Sequence, residues 1–351
     1  MKQSGHYTFT EITSQPATWQ TVLADFASLK STVQQTWQRL NPQQVAVIGC
    51  GSAYYLAQCV AALLQTVTGV PARAYPASEL ILFPAQTIHN PAETLLLAIS
   101  RSGTTTETVT AIEHFRQSGG GQVWAITCDA GSLVAQAADL VLPVEAAQEQ
   151  SLAQTRSFSS MLLLAQAVAA TVAGEDDAIL RDLPAHGEQV ITQANTFIAG
   201  VASRTDVSGF FFLGSGILYG LANEGMLKLK EMSITGSEAY HFLEFRHGPK
   251  AMVDQQTLMI GLISNSTRQH EQQVLYEMRD LGADILAINA AGSSEFAHAI
   301  NLDGKLPAWA SPVLYLPTMQ LLGYHRAISK GLDPDLPRNL QAVIHLDAQA
   351  F

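Results

Sequence analysis

An internal repeat constrains the fold of this chain more than any other feature. The first copy contains an apolar run, a glycine turn and then a helical pattern, QVAVIGCGSAYYLA (44–57), and the second copy contains GFFFLGSGILYGLA (209–222). Three more pairs of segments follow in the same order: PASEL and TGSEAYHF, LLLAISRS and TLMIGLISNS, WAITCDAGS and ILAINAAGSS. The offset stays at roughly 160–165 residues, which indicates two copies of one folding unit.

The repeated unit has the pattern of a doubly wound α/β domain. Its apolar runs are short and nearly continuous, as in parallel strands buried on both faces, and the segments between them are long enough for crossover helices. We predict two tandem doubly wound domains, each with a parallel sheet of about five strands, and a helical linker. The expected boundaries are an N-terminal arm (1–25), a first domain (26–175), a second domain (176–340) and a C-terminal tail (341–351).

Charge and composition argue against two classes of partner. The formal net charge is −11 and Lys and Arg form no basic stripe, so we expect no nucleic-acid binding. Because this charge repels a phosphorylated ligand at long range, a phosphate site has to act locally through N–H groups, hydroxyls and a helix N-terminus. No apolar run approaches the roughly 20 residues of a membrane span, the N-terminal segment is polar, and Cys50, Cys59 and Cys128 have neither disulfide nor zinc spacing. We therefore expect a soluble cytoplasmic protein that does not bind membranes.

One strand-to-helix loop of the first copy is rich in hydroxyls. ISRSGTTTET (99–108) follows an apolar strand and precedes a helical pattern, so its side chains and the N–H groups of the next helix favour a phosphate site. The residues concerned are Ser100, Ser102, Gly103, Thr104 and Thr105, with Ser52 on a neighbouring strand end. The alternative is that these Ser and Thr residues only cap a helix. The second copy has ISNSTRQHEQ at this place and lacks the Ser-Gly-Thr-Thr run, so we expect one phosphate loop in the chain.

The second copy contains a polar segment, EGMLKLKEMSITGSEAYHFLEFRHGPKAM (224–252), beside apolar sequence. Glu224, Lys228 and Glu231 share one helix face, and a surface ion pair is one explanation of the first two. Conversion of an aldose to a ketose through an enediol or enolamine needs a carboxylate that moves a proton between C2 and C1, and a second group that opens the ring. Glu231 is the candidate base, and His247 is the candidate for ring opening because imidazole titrates near neutral pH. A structural role is the alternative for each.

These residues together resemble the sugar isomerase (SIS) domain family over nearly the whole chain. The resemblance includes the isomerase part of glucosamine-6-phosphate synthase and stand-alone amino-sugar-phosphate deaminases and isomerases. The segments that carry it, in order, are GCGSAYYLA, ISRSGTTTET, EQSLAQTRSF (149–158), EGMLKLKE, SEAY, HGP, QLLGYHRAISKG (320–331) and DLPRNL (335–340).

The resemblance implies a role for each matching residue. The implied phosphate and sugar contacts come from Ser52, Ser100, Arg101, Ser102 and Thr105, and the implied pocket-lining residues are Glu149 and Thr155. Glu231 is implied as the proton-transfer base, supported by Glu224 and Lys228 from its own helix. His247 is implied as the ring-opening residue, and because the partner subunit supplies it in the synthase, the resemblance implies a homodimer with shared active sites.

The departures from the synthase narrow the expected reaction. The synthase begins with a glutaminase domain, whereas this sequence begins Met1-Lys2 and enters the sugar-binding half at once, and Gln341-Ala342 stands where the synthase has Ala-Lys. We therefore expect an amino-sugar-phosphate deaminase or phosphosugar isomerase rather than synthesis of glucosamine 6-phosphate. A fructosamine-phosphate deglycase and a non-catalytic sugar-phosphate sensor are the alternatives. We expect no cofactor, and no metal either, because the spacing of His241 and His247 does not suit shared ligation.

Overall fold

The computed structural model describes residues 4–290, 295–302, 304–341 and 343–344 and divides into two compact units. The first-sheet unit comprises the described parts of Ala17–Glu149, Arg156–Arg181 and Gln341–Phe351. The second-sheet unit comprises those of Met1–Pro16, Gln150–Thr155 and Asp182–Leu340. Helix α1 (His6–Thr13) belongs to the second-sheet unit, and helix α2 (Gln15–Leu40) continues from it into the first-sheet unit.

The first sheet has five parallel strands in the order β2-β1-β3-β4-β5. These are β1 (Gln44–Gly49), β2 (Ala72–Pro76), β3 (Thr94–Ser100), β4 (Val123–Thr127) and β5 (Leu140–Pro143). The central strand β3 is buried at every position, which explains its uninterrupted apolar sequence. Its neighbours β1 and β4 run parallel to it in register, so the carboxyl ends of the three strands meet at one edge.

Six helices complete the first-sheet unit after α2 within the described residues. They are α3 (Ser52–Thr68), α4 (Ala77–Leu82), α5 (Pro84–Thr87), α6 (Thr106–Gln117), α7 (Leu133–Gln136) and α8 (Arg156–Ala173). Helix α8 is the helical linker that its Ala- and Leu-rich sequence predicts, and it packs on α3. Its length and mean hydropathy of 1.2 would allow it to cross a membrane, but 83% of it is buried inside the protein.

The second sheet repeats the first. Its strand order, β10-β9-β8-β6-β7, is the order of the first sheet read from the opposite edge. The strands are β6 (Gly209–Leu213), β7 (Glu238–Tyr240), β8 (Thr257–Ile263), β9 (Asp284–Asn289) and β10 (His298–Asn301), and the helices are α9 (Leu183–Ala202), α10 (Ile217–Ser233), α11 (Arg268–Asp280) and α12 (Leu316–Ser329). The two parallel five-stranded sheets confirm the predicted fold class. The repeat in the sequence did not locate β10.

The glycine turn after the first strand of each sheet shows how closely the copies agree. Gly51 precedes α3 with φ 56° and ψ −124°, and Gly216 precedes α10 with φ 57° and ψ −128°. A Cβ at Gly49 would lie 2.5 Å from the backbone of the α3 turn, and one at Gly214 would lie 2.4 Å from that of the α10 turn. Only glycine allows strand and helix to approach this closely, so the same turn recurs in both copies.

Candidate active site

The hydroxyl-rich loop connects β3 to α6 at the carboxyl edge of the first sheet. Gly103 has φ 64°, and a Cβ there would lie 1.9 Å from Ser132 Oγ, so the loop can pass this point only with glycine. The Ser100 hydroxyl accepts the Gly103 N–H at 3.0 Å, and the Ser102 hydroxyl accepts the Thr104 N–H at 3.2 Å. The loop is thus held in one compact conformation by its own hydroxyls, close to the residues at the end of β4.

The hydroxyl of Thr105 is not used as a helix cap. Thr105 is the N-cap residue of α6, but its side chain makes no capping hydrogen bond and instead lies 3.4 Å from Ser100 Oγ. This speaks against the alternative that the Ser and Thr residues only start a helix. Ser52 begins α3 at the end of the adjacent strand β1 and is nearly buried. The structure therefore brings these residues together at one sheet edge, next to the N-terminus of α6.

Arg101, in the same loop, has its side chain turned toward Glu149. Their closest approach is 3.4 Å between Nη1 and Oε2, and the Glu149 side chain is completely buried. Ser157 at the start of α8 also donates to this carboxylate. The Arg101 guanidinium group is therefore anchored at the edge of the loop by the buried carboxylate of Glu149. Backbone N–H groups and hydroxyls form the centre of the loop.

Cys50 is a thiol at this edge that the sequence did not single out as functional. It follows β1, and its Sγ lies 3.7 Å from Thr108 Oγ1 on α6. Burial raises the pKa of the Cys50 thiol to about 11, so it stays protonated and is not a nucleophile. Cys50, Cys59 and Cys128 are all free thiols.

The candidate base lies on α10, next to a buried lysine. Lys228 Nζ is 3.2 Å from Glu224 Oε1 and 2.5 Å from Glu231 Oε2. The side chains of Glu224 and Lys228 are each 1% exposed, so the explanation of these two residues as a surface ion pair is wrong. Burial by itself lowers the pKa of Lys228, but the two carboxylates outweigh it and the pKa is raised. The lysine therefore stays charged and leaves Glu231, 18% exposed, as the accessible carboxylate of the group.

Helix α10 is fixed in place by close contact with its neighbours. A Cβ at Gly225 would lie 2.6 Å from Met319 Sδ on α12 and 2.8 Å from the ring of Phe212 on β6. A Cβ at Gly323 on α12 would lie 3.2 Å from the carbonyl oxygen of Lys228. Glycines at both positions let α10 pack directly on α12 and β6, so the side chains of Lys228 and Glu231 start from a rigid backbone.

His247 lies in a short, well-anchored segment of the second-sheet unit. It directly follows a 3₁₀ turn, Glu244–Arg246, and its side chain is exposed. Phe245 is buried in the core of the unit, and Arg246 makes a two-point ion pair with Glu277, with both distances 2.7 Å. The neighbours of His247 are therefore fixed while its own ring faces outward.

Thr155 lies in the second-sheet unit and is fully buried. Its carbonyl oxygen accepts a hydrogen bond of 3.0 Å from Gln320 Nε2 on α12, and Gln320 Oε1 in turn accepts one of 2.9 Å from Gln15 Nε2. In the same segment, the N–H of Gln150 donates to Glu11 Oε1 on α1 at 2.6 Å. The N-terminal residues thus hold the segment 150–155 in place, a contact that the sequence did not indicate.

The equivalent loop of the second sheet is closed by a carboxylate. Glu271 on α11 is 1% exposed, and its side chain accepts hydrogen bonds from the Ser264 N–H at 2.7 Å and from Thr267 Oγ1 at 2.7 Å. An anion of the chain itself therefore occupies the N–H and hydroxyl donors that a phosphate would need. This explains in structural terms why the two copies differ, and the signal in the sequence was a Thr followed by a Glu one helical turn later, a spacing that brings the two side chains together.

Several known proteins are similar to this chain. A glutamine–fructose-6-phosphate aminotransferase (isomerizing) of Legionella pneumophila strain Lens is 32% identical over 308 residues, covering 85% of this chain and 50% of the relative. The corresponding Methanothermobacter thermautotrophicus protein is 28% identical and covers 97% of this chain and 58% of the relative. The chain thus spans about half the length of these curated relatives.

Two solved structures match this chain over 96–100% of their own length. Glucosamine-6-phosphate deaminase from Thermotoga maritima has a TM-score of 0.84 at 28% identity and covers 97% of this chain and 100% of that chain. Tagatose-6-phosphate ketose/aldose isomerase from Escherichia coli has a TM-score of 0.86 at 27% identity, with 96% of each chain covered. Both are therefore built on the same pair of sheets.

The fold and these relatives define the chain as an enzyme of the isomerase kind. The model of the SIS domain matches residues 40–171 and 206–302, more than half of the sequence. The chain belongs to the SIS domain family, which confirms the resemblance that its motifs indicated.

Proposed function

We propose that this chain is a phosphosugar aldose–ketose isomerase or an isomerising amino-sugar-6-phosphate deaminase. Two observations, one in each unit, carry the proposal: a hydroxyl loop in the first-sheet unit whose N-cap threonine does not cap its helix, and Glu231 beside the buried Lys228 in the second-sheet unit. The names of the similar solved structures, a glucosamine-6-phosphate deaminase and a tagatose-6-phosphate isomerase, support the same chemistry.

In this proposal the loop holds the phosphate group of the substrate. The contacts come from Ser100, Arg101, Ser102, Gly103 and Thr105, with Ser52 near the sugar and with Glu149 and Thr155 lining the site. The hydroxyls and N–H groups donate to the phosphate oxygens, and the N-terminus of α6 favours their negative charge. The net negative charge of the chain repels a phosphorylated ligand at long range, so in this proposal the affinity for the phosphate comes from these local donors.

The proposed reaction is a proton transfer between C1 and C2 of the sugar, carried out by residues of the second-sheet unit. His247, supplied across a homodimer, opens the ring, and the Glu231 carboxylate takes the proton from C2 and returns it to C1. Glu224 and Lys228 support this carboxylate, because Lys228 balances its charge when it is ionised. With a 2-amino sugar the same transfer leaves a C2 imine, and water then releases ammonia and the ketose phosphate.

Exchange of sugar protons with solvent tests the role of Glu231. Wild-type protein incubated in D₂O with glucosamine 6-phosphate, or with glucose, fructose or tagatose 6-phosphates, should place deuterium at C1 or C2 of its substrate, as read by NMR. E231Q should lose exchange and turnover while sugar-phosphate affinity changes by no more than about threefold. The control is E188Q, an exposed carboxylate on α9, which should behave as wild type. Equal loss of binding and rate in E231Q would make Glu231 a structural residue.

Two further measurements separate the alternatives. Release of ammonia distinguishes a deaminase from a pure isomerase, and fructosamine 6-phosphate in the panel detects deglycase activity. S102A should raise KM about 10- to 100-fold with little change in kcat, because one hydrogen bond to a charged group is lost. Tight binding of a sugar phosphate with no exchange in the wild type would instead identify a sensor.

A further inference from the structure

The helix that carries Glu231 ends in an unusual conformation. The C-cap of α10 is Ile234, with φ 49° in the left-handed region, which a β-branched residue rarely adopts. The equivalent helix of the first copy, α3, ends at Gly69 with φ 72°, where no side chain opposes this conformation. The second copy therefore holds a strained helix end where the first copy uses glycine.

A lysine from another helix holds this strained end. Lys330, the C-cap residue of α12, donates from Nζ to the carbonyl oxygens of Ser233 at 2.7 Å and Ile234 at 3.1 Å, and to Thr235 Oγ1 at 3.1 Å. The Ser233 hydroxyl donates in turn to Thr235 Oγ1 at 2.9 Å. An ammonium group at the last carbonyls of a helix satisfies their hydrogen-bonding capacity and offsets the negative end of the helix dipole.

The hydrogen bonds of Lys330 and its positive charge both affect Glu231, which lies two residues before Ser233, the last residue of α10. Fraying of the final turn would displace its carboxylate, and an uncompensated helix end would add negative charge beside it. Lys228 fixes the carboxylate from the preceding turn, and Lys330 fixes the turn that follows. The close packing of α12 on α10 keeps Lys330 at this distance.

We propose that Lys330 is a positioning residue for Glu231, because it holds the strained last turn of α10 and balances the charge of the helix end beside the carboxylate. The inference rests on the proposed function, since it takes Glu231 as the base. The proposed action of Lys330 is through the backbone of α10 and not through contact with the reacting atoms.

The charged surroundings of both groups enter the test. Burial, together with the positive charges of Arg326 and Arg338, lowers the pKa of Lys330. The charged groups on the Glu231 side are Lys228 and Glu224. A pH–rate profile therefore reports on the whole group, and comparison of variants isolates the part due to Lys330.

Three substitutions at one position separate hydrogen bonding from charge. K330M removes both, K330Q keeps a donor without charge, and K330R keeps both. The matched control is K230M, which removes an exposed charge from α10 itself. In K330M we expect kcat to fall roughly 10- to 100-fold with KM within about twofold, and the acidic limb of the kcat/KM profile to move to higher pH. K330R should restore most of the activity, and K330Q should lie between the two.

Amide hydrogen exchange supplies a readout that does not depend on turnover. The Ile234 N–H bonds to the Lys230 carbonyl at 3.0 Å, and its exchange should accelerate in K330M but not in K230M. Wild-type kcat and pH profile in K330M, or the same losses in K230M, would overturn the proposal. If K330M does not fold, T235V, which removes one acceptor of Lys330, should show a smaller change in the same direction, and no change would overturn it. If the wild type turns over no sugar phosphate, the proposed function fails, and unaltered exchange at Ile234 would show separately that Lys330 does not hold the helix end.

Discussion

Replacement of Gly225 by Ala measures how tightly α10 is held. The added Cβ would lie 2.6 Å from Met319 Sδ and 2.8 Å from two ring carbons of Phe212, closer than real Cβ contacts. Gly200 on α9 is the matched control, because a Cβ there meets nothing within 4 Å. Both substitutions make the same chemical change inside a helix of the second-sheet unit.

The two variants differ in whether the added Cβ meets neighbouring atoms. Ala is favoured over Gly in a helix by up to about 1 kcal/mol, so G200A should raise the free energy of unfolding by up to that amount. In G225A the same gain is opposed by overpacking, which costs about 1–3 kcal/mol. We therefore expect G225A to be less stable than G200A by about 1–3 kcal/mol.

Urea denaturation followed by circular dichroism at 25 °C gives this difference directly, provided the m-values of the two variants agree. Because α10 carries Glu231, G225A should also lower kcat while G200A leaves it unchanged. If the two variants unfold within about 0.5 kcal/mol of each other, the close contact between α10, α12 and β6 does not constrain the helix and the argument from packing is refuted.

Three further outcomes follow from the contacts described. K228M leaves its carboxylate partners without a counter-charge and should cost about 3–5 kcal/mol in urea denaturation, whereas K230M should stay within about 0.5 kcal/mol of wild type. Burial raises the pKa of the Glu271 carboxyl above its usual value of 4.5. The stabilisation that this raised pKa gives is therefore full at pH values below the carboxyl pKa of the unfolded chain, and it is lost as the pH rises through the pKa of the folded protein. E271Q should therefore lose less stability than wild type between pH 4 and 7. G103A forces a Cβ to 1.9 Å from a neighbouring hydroxyl and should abolish sugar-phosphate binding in calorimetry, whereas G119A, with φ 74° and open space around it, should only lower stability by about 1 kcal/mol.

The apolar runs and glycine turns predicted the architecture because they are local signals, and their recurrence at a constant offset showed that the chain contains two copies of the unit. A buried parallel strand such as β3 has to be apolar at every position, and a strand-to-helix turn such as Gly49-Cys50-Gly51 has to contain glycine. Both requirements show directly in the sequence. Strand β10 was missed because its four residues, His298–Asn301, form no continuous apolar run.

The candidate site was predicted only in part. The spacing of Glu224, Lys228 and Glu231 placed them on one helix face, but it could not show that the first two are buried. Whether a helix face is exposed depends on the elements that pack over it. Here Gly225 and Gly323 allow α12 and β6 to lie close to α10, and this effect of the glycines is visible only in the three-dimensional structure.

The sequence by itself determined the order of strands β1 to β9, the duplication and the position of the hydroxyl loop, since each follows from short-range periodicity and turn chemistry. Only the tertiary structure decided which charges are buried, that Glu271 closes the second loop, and that Lys330 holds the end of α10. Lys330 and Ser233 are 97 residues apart in the chain, and such contacts arise from packing of whole elements rather than from any local pattern. The physical reason is that hydrogen bonds and ion pairs depend on distances of a few ångströms, which the chain sets only when its helices and sheets are assembled.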